Sequence, residues 1–234
     1  MRIKVINPNT SDEMTRSIHQ VATAYASLGT EIVTTHPTVG PVSIESFYDE
    51  YQAIPQVLAE IKRNEEDFDA FVLACWGDPG TDAVREMVPQ PVVGIAEASM
   101  YAANAIAPRW SVVTTLRRSH HMVEAVVKKT GLAEHCASVR CIDLPVLACE
   151  EDSDAVIAGL VQVGRQALEI DGAEAIILGC AGMGGMAAYI SQQLSVPCVD
   201  PVGAGVRFAE LLVALRLQTS KYMTYRPPEA KLFH

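Results

Sequence analysis

The sequence predicts an α/β protein of two pseudo-symmetric lobes, each a small parallel sheet flanked by helices, with the active site in the interlobe cleft. Two observations predict this. Apolar runs of strand length alternate with helical patterns, as parallel βαβ units require. The chain also repeats itself. "DAFVLACWGDPG" (69–80) aligns with "EAIILGCAGMGG" (174–185) at an offset of 105, and "QPVVGIAEASM" (90–100) with "VPCVDPVGAGV" (196–206) at 106. "RIKVINPNT" (2–10) aligns with "RWSVVTTLR" (109–117) at 107.

In chain order, strands are predicted over Ile3–Ile6, Glu31–Thr35, Ala70–Ala74, Val92–Ile95, Ser111–Thr114, Val139–Leu144, Ala175–Gly179 and Cys198–Asp200. Helical spacing fits Ser11–Ser27, Tyr48–Asn64, Thr81–Met87, Ser99–Ala105, Ser119–Lys129, Ser153–Ile170, Gly185–Leu194 and Ala204–Leu215. The repeat places a first lobe at residues 1–97 plus about 205–234, and a second at 98–204. The acidic stretch Glu150–Asp154 reads as a solvated loop or helix start, and the polar tail 219–234 as an arm over the other lobe or a neighbouring subunit.

With 49% hydrophobic and 20% charged residues in 234, the composition is that of a soluble globular protein with a sizeable core. A net charge of −10 argues against a nucleic-acid partner, and pairs such as Arg117-Arg118 and Lys128-Lys129 are too short to reverse that. The first apolar run breaks at Asn7-Pro8 before a signal sequence forms. The long uncharged stretch 175–199 is interrupted by glycines, glutamines and Pro197, so no membrane association is expected and the location is read as cytoplasmic. The six cysteines (75, 136, 141, 149, 180 and 198) are then free thiols. A zinc centre on His135, Cys136, Cys141 and Cys149 competes, but no C-x-x-C pair supports it and no metal is expected.

The repeat changes the reading of two of these thiols. Cys75 and Cys180 end corresponding strands, and ligands of open α/β sheets bind outside the carboxyl ends of strands. The alternative is that both only fill the core. Asp78 reads as an N-cap with Pro79 at the first helical position, and Ala181-Gly182-Met183-Gly184-Gly185 can expose several backbone N–H groups. Such donors favour thiolate and can hold an oxyanion on a bound carbonyl. None of His19, His36, His120, His121, His135 and His234 adjoins either cysteine in sequence, which argues against a histidine-activated nucleophile. Two facing thiols suit another reaction: one thiolate removes a proton from a carbon acid while the other thiol returns one to the opposite face. Neither a metal nor an organic cofactor is needed.

The motifs "VINPNTS" (5–11), "ACWGDPG" (74–80) and "LGCAGM" (178–183) resemble those of the aspartate/glutamate/hydantoin racemase superfamily, most closely its hydantoin racemase branch, which includes allantoin racemases. The resemblance implies a two-lobed α/β fold, two-base racemisation by Cys75 and Cys180 without cofactor, and a homo-oligomer. Glutamate racemases typically follow the second cysteine with Thr-His. Here Ala181-Gly182-Met183 follows, which favours a neutral ring such as a 5-substituted hydantoin over an amino acid.

Expected substrate contacts are Asn9, Thr10, Ile44, Trp76, Gly77, Thr114, Thr115, Ala181, Gly182 and Met183. Asn9 and Thr10 could instead cap the helix opening at Ser11, "GPVSIES" (40–46) could be an ordinary turn, and Trp76 could pack only against its own turn. Thr114 and Thr115 are placed as the repeat equivalents of Asn9 and Thr10. Competing readings are another carbon-acid enzyme of the superfamily (an aspartate or glutamate racemase, maleate isomerase or arylmalonate decarboxylase), a dinucleotide oxidoreductase and a small-molecule binder. The oxidoreductase reading rests on Gly182-x-Gly184-x-x-Ala187 with Asp200.

Overall fold

A computed structural model describes residues 1–63 and 65–229. Asn64, at the end of one predicted helix, and residues 230–234 of the tail lie outside the described residues. The strands are β1 (Arg2–Ile6), β2 (Glu31–Thr35), β3 (Ala70–Leu73), β4 (Val92–Gly94), β5 (Trp110–Thr114), β6 (Cys136–Cys141), β7 (Ala175–Leu178) and β8 (Cys198–Val199). They form two four-stranded sheets with orders β2-β1-β3-β4 and β6-β5-β7-β8, parallel throughout. The identical order is the repeat made visible. The central strands β1, β3, β5 and β7 are almost wholly buried, as expected of parallel strands covered on both faces.

The helices are α1 (Asp12–Tyr25), α2 (Phe47–Lys62), α3 (Thr81–Met87), α4 (Ile95–Ile106), α5 (His120–Lys129), α6 (Ala148–Glu151), α7 (Ser153–Glu169), α8 (Ala187–Leu194) and α9 (Pro201–Ala214). Two of them tie the sheets together. Helix α4 leaves the first sheet and packs on β7, β8 and α5, whereas α9 leaves the second and packs on β3, β4 and α1. The Glu210 carboxylate of α9 accepts from Ser27 N–H (2.7 Å) and Thr30 hydroxyl (2.6 Å). On this packing we propose that the first lobe reclaims the chain near residue 205. No described helix is long and apolar enough to cross a membrane.

Three expectations need correction. Strand β6 stands three residues earlier than predicted, because its register follows β5 from Trp110↔Cys136 to Thr114↔Cys141 and Asp143 turns left-handed (φ 62°). The apolar run beyond it belongs to a loop that buries Val146. Helix α4 begins four residues before the predicted start, because another segment supplies its cap, described below. The acidic stretch is a helix start, as one of its two readings has it: after the end of α6, Asp152 caps α7 through Ala155 N–H. The described part of the tail packs on its own lobe, not over the other: Thr219 N–H donates to Pro89 carbonyl (2.9 Å), and Tyr225 hydroxyl to Asp82 (3.0 Å).

Candidate active site

Cys75 follows β3 and Cys180 follows β7, and both line one cavity between the sheets. Loops from each lobe close it. Val146 N–H of the second donates to Glu45 of the first (2.9 Å), and Ser11 hydroxyl meets the Glu150 carboxylate (3.4 Å).

The turn after Cys75 is not the helix start the sequence suggests. Helix α3 opens only at Thr81, after a left-handed Gly80 (φ 76°), and Asp78 itself is left-handed (φ 48°). The Asp78 carboxylate instead accepts from the N–H groups of Ala96 and Glu97, both at 3.0 Å, capping α4 from a distance. In the second lobe the same link is made from the other end. Asp200 caps its own helix α9 through Gly203 N–H (3.0 Å) and reaches back to Gly185 N–H (2.6 Å) in the loop after Cys180. Gly94 stands where Asp200 stands, at the repeat offset of 106. The Asp200 carboxylate is therefore buried and occupied, which leaves the dinucleotide reading without its ribose ligand.

The two thiols have unlike surroundings. Burial pushes Cys75 up to about 12, against a single favourable donor, Gly77 N–H, with Cys180, Glu50 and Asp78 adding unfavourable charge. Cys180 is held below the ordinary thiol value, first by a hydrogen bond from the Cys149 thiol and then by the Gly182 and Met183 N–H groups, against its own burial and the Glu150 charge. Cys149 is correspondingly pushed up. The backbone donors foreseen for a substrate oxyanion are thus engaged by sulfur.

Of the expected contacts, Asn9, Ile44, Trp76, Gly77, Thr114, Thr115 and Ala181 line the cavity. Thr10, Gly182 and Met183 stand outside its lining. Thr10 donates through its N–H to Pro41 carbonyl (3.0 Å), and Gly182 and Met183 are buried and act through Cys180. Ser11, not Asn9 or Thr10, is the N-cap of α1, accepting from Met14 N–H (3.0 Å). Asn9 accepts from Ser11 N–H (2.9 Å) and from the Asn7 side chain (2.8 Å), while among the described residues its own amide donates only to Met14 sulfur. Trp76 is 3% exposed, packs with Ala96 and Met100, and also walls the cavity. Thr114 donates to Gly179 carbonyl (2.9 Å).

Sequence reasoning missed Asn7, Met14, Glu50, Ser119, Met122 and Val146, which also line the cavity. Asn7 was within reach of the repeat. Ile6 pairs with Leu73 as Val113 pairs with Leu178, so Thr114 and Thr115 are the equivalents of Asn7 and Pro8, not of Asn9 and Thr10. The others come from α1, α2, α5 and adjoining loops, and carry no repeat signal. Among the described residues the lining holds no Lys, Arg or His, and Glu50 is its one carboxylate, pushed up by burial. The proposed zinc set does not assemble: His135 Nδ1 meets Pro108 carbonyl, Cys136 and Cys141 lie on β6, and Cys149 sits against Cys180.

Residues 3–209 match the family model described as Asp/Glu/Hydantoin racemase. The chain is similar to a hydantoin racemase of Pseudomonas sp. (strain NS671), with 50% identity over 99% of this chain and 93% of that protein. Among solved structures, the allantoin racemase from Klebsiella pneumoniae superposes with a TM-score of 0.97 at 44% identity, covering 100% of this chain and 96% of that one. Allantoin racemase from Pseudomonas fluorescens gives a TM-score of 0.97 at 40% identity, with both chains fully covered. Matched over nearly its whole length in sequence and in fold, the chain belongs to the Asp/Glu/hydantoin racemase family.

Proposed function

We propose that the protein is a cofactor-independent racemase of 5-substituted hydantoins, the ureido-substituted allantoin among them, with Cys75 and Cys180 as its two acid/base residues. The observation that carries this is the placement of both thiols on one cavity whose lining is otherwise neutral or apolar apart from Glu50. An α-amino dicarboxylate would bring two carboxylates into a site with no cation in its lining, at a large desolvation cost. A neutral ring avoids that cost. The relatives, a hydantoin racemase and an allantoin racemase, point the same way.

Catalysis follows from the inequality of the thiols. Cys180, as thiolate, takes the C5 proton of one enantiomer. The electron pair passes into the adjacent amide carbonyl as an enolate, and the Cys75 thiol returns a proton to the opposite face of C5. The products are the other enantiomer, a Cys180 thiol and a Cys75 thiolate, which is the starting state for the reverse reaction. The Asn9 amide, whose only acceptor among the described residues is the Met14 sulfur, is the donor we assign to the ring carbonyl. Met14, Ile44, Met122 and Val146 offer apolar contact to the 5-substituent, and Glu50 an acceptor for N–H groups on a polar one.

The test is incubation of one enantiomer of a 5-alkylhydantoin or of allantoin in D₂O without cofactor. Optical rotation should decay to zero while product acquires a single deuterium at C5. Ring opening or loss of carbon dioxide instead would overturn the reading. A second expectation concerns pH. The kcat/KM of racemisation should rise as Cys180 ionises, with its midpoint below the ordinary thiol value of 9.0. It should fall only as Cys75 loses its proton near about 12. A midpoint on the acid limb above 9 would remove Cys180 from the base role.

A further inference from the structure

Cys149 has no part in the two-thiol reaction, yet the fold brings it to the reacting centre. The short helix α6 packs against the turn after Cys180. A Cβ on Gly182 would lie 3.0 Å from Cys149 Cβ and 3.4 Å from its Sγ, so the absence of a side chain there permits this approach. Cys149 is 7% exposed and its thiol is in hydrogen-bonding contact with Cys180. In the first lobe the residue at the same offset of 105 is Ile44, which cannot donate. Cys180 thus receives two N–H groups and one S–H, and Cys75 a single N–H.

We propose that Cys149 is a positioning residue whose S–H donates to Cys180 Sγ and makes Cys180, rather than Cys75, the thiolate of the resting pair. The proposal rests on the racemase reading above and adds to it the device that breaks the symmetry of the two lobes. Cys149 keeps its own proton throughout, since the proton taken from C5 resides on Cys180. The charged and titratable groups facing the pair are Glu150 on α6, Glu50 on α2 and Asp78 in the turn after Cys75. All three are acids whose charge would oppose a thiolate, so the neutral donors must supply the stabilisation.

The test is peptide-resolved alkylation of Cys180 by iodoacetamide across pH, under reductant, in the natural protein and in Cys149→Ala and Cys149→Ser. Loss of a hydrogen bond to a charged group should raise the Cys180 midpoint by roughly one pH unit in Cys149→Ala, a tenfold loss of thiolate on the acid side. Cys149→Ser retains a donor and should return the midpoint toward that of the natural protein. The acid limb of kcat/KM should move with the alkylation midpoint. An unmoved midpoint in Cys149→Ala, or an equal rise in Cys149→Ser, overturns the proposal. Failure of the natural protein to racemise any hydantoin would instead remove the racemase reading, and leaves the alkylation comparison readable.

Discussion

Replacement of Cys180 with serine is expected to lower racemisation by roughly 10²–10⁴-fold, the scale of a lost general base, and Cys75→Ser should do the same. A serine hydroxyl is a far weaker acid than a thiol, so it neither supplies a base near neutral pH nor returns a proton readily. The informative quantity is what each variant keeps. In Cys75→Ser, Cys180 remains a thiolate supported by Gly182, Met183 and Cys149, and should still wash the C5 proton of one enantiomer into D₂O without inverting it. In Cys180→Ser, the remaining base is Cys75, which burial pushes up to about 12, so exchange of the opposite enantiomer should be much slower at pH 8. Proton NMR of the C5 signal for each enantiomer measures both rates. Equal exchange rates in the two single variants would contradict the unlike environments of the thiols. Full racemisation by the double variant would end the two-cysteine mechanism.

Gly94→Ala is expected to cause the largest loss of stability among single small substitutions near the site. A Cβ there would stand 2.1 Å from Asp78 Cγ and 2.3 Å from each carboxylate oxygen. The carboxyl group, which burial pushes up to about 8, cannot stay on the Ala96 and Glu97 N–H groups, and two hydrogen bonds are lost at the start of α4. At about 0.5–1.5 kcal/mol for each bond, plus about 1–3 kcal/mol for a buried group left unpaired, the cost should reach a few kcal/mol. That is a large share of a typical folding free energy of roughly 5–15 kcal/mol. Activity should fall as well, because Asp78 anchors the turn whose Gly77 N–H donates to Cys75. Urea unfolding of Gly94→Ala, Asp78→Ala and the double variant tests this as a cycle. The double variant should lose much less than the two singles combined, since the clash needs both side chains. Simple additivity would mean that the two residues do not interact.

Much of the site was legible in the sequence because the repeat is a constraint that local patterns lack. A lone cysteine after a strand carries little information, but two at a constant offset imply two equivalent sheet positions, and both sheets have the same strand order. The repeat also held Asn7: the segment alignment at an offset of 107 already sets it against Thr114, and the strand register agrees. Turn chemistry was less legible. Asp78-Pro79 looks like a local N-cap, yet its left-handed backbone sends the carboxylate to a helix that starts 17 residues later. An acceptor that serves a distant element leaves no periodic trace near itself.

The sequence by itself determined the alternation of strands and helices, the doubling of the lobe and the pair of thiols, because these depend on local periodicity and internal similarity. The tertiary structure decided which thiol is held below its ordinary proton affinity, and so which one the proposed mechanism uses as base. That choice depends on donors brought together by folding: Cys149, 31 residues before Cys180, and the tight approach over Gly182 that lets its sulfur in. Proton affinity is set by everything within a few ångströms of a sulfur, and those neighbours come from separate elements of the chain.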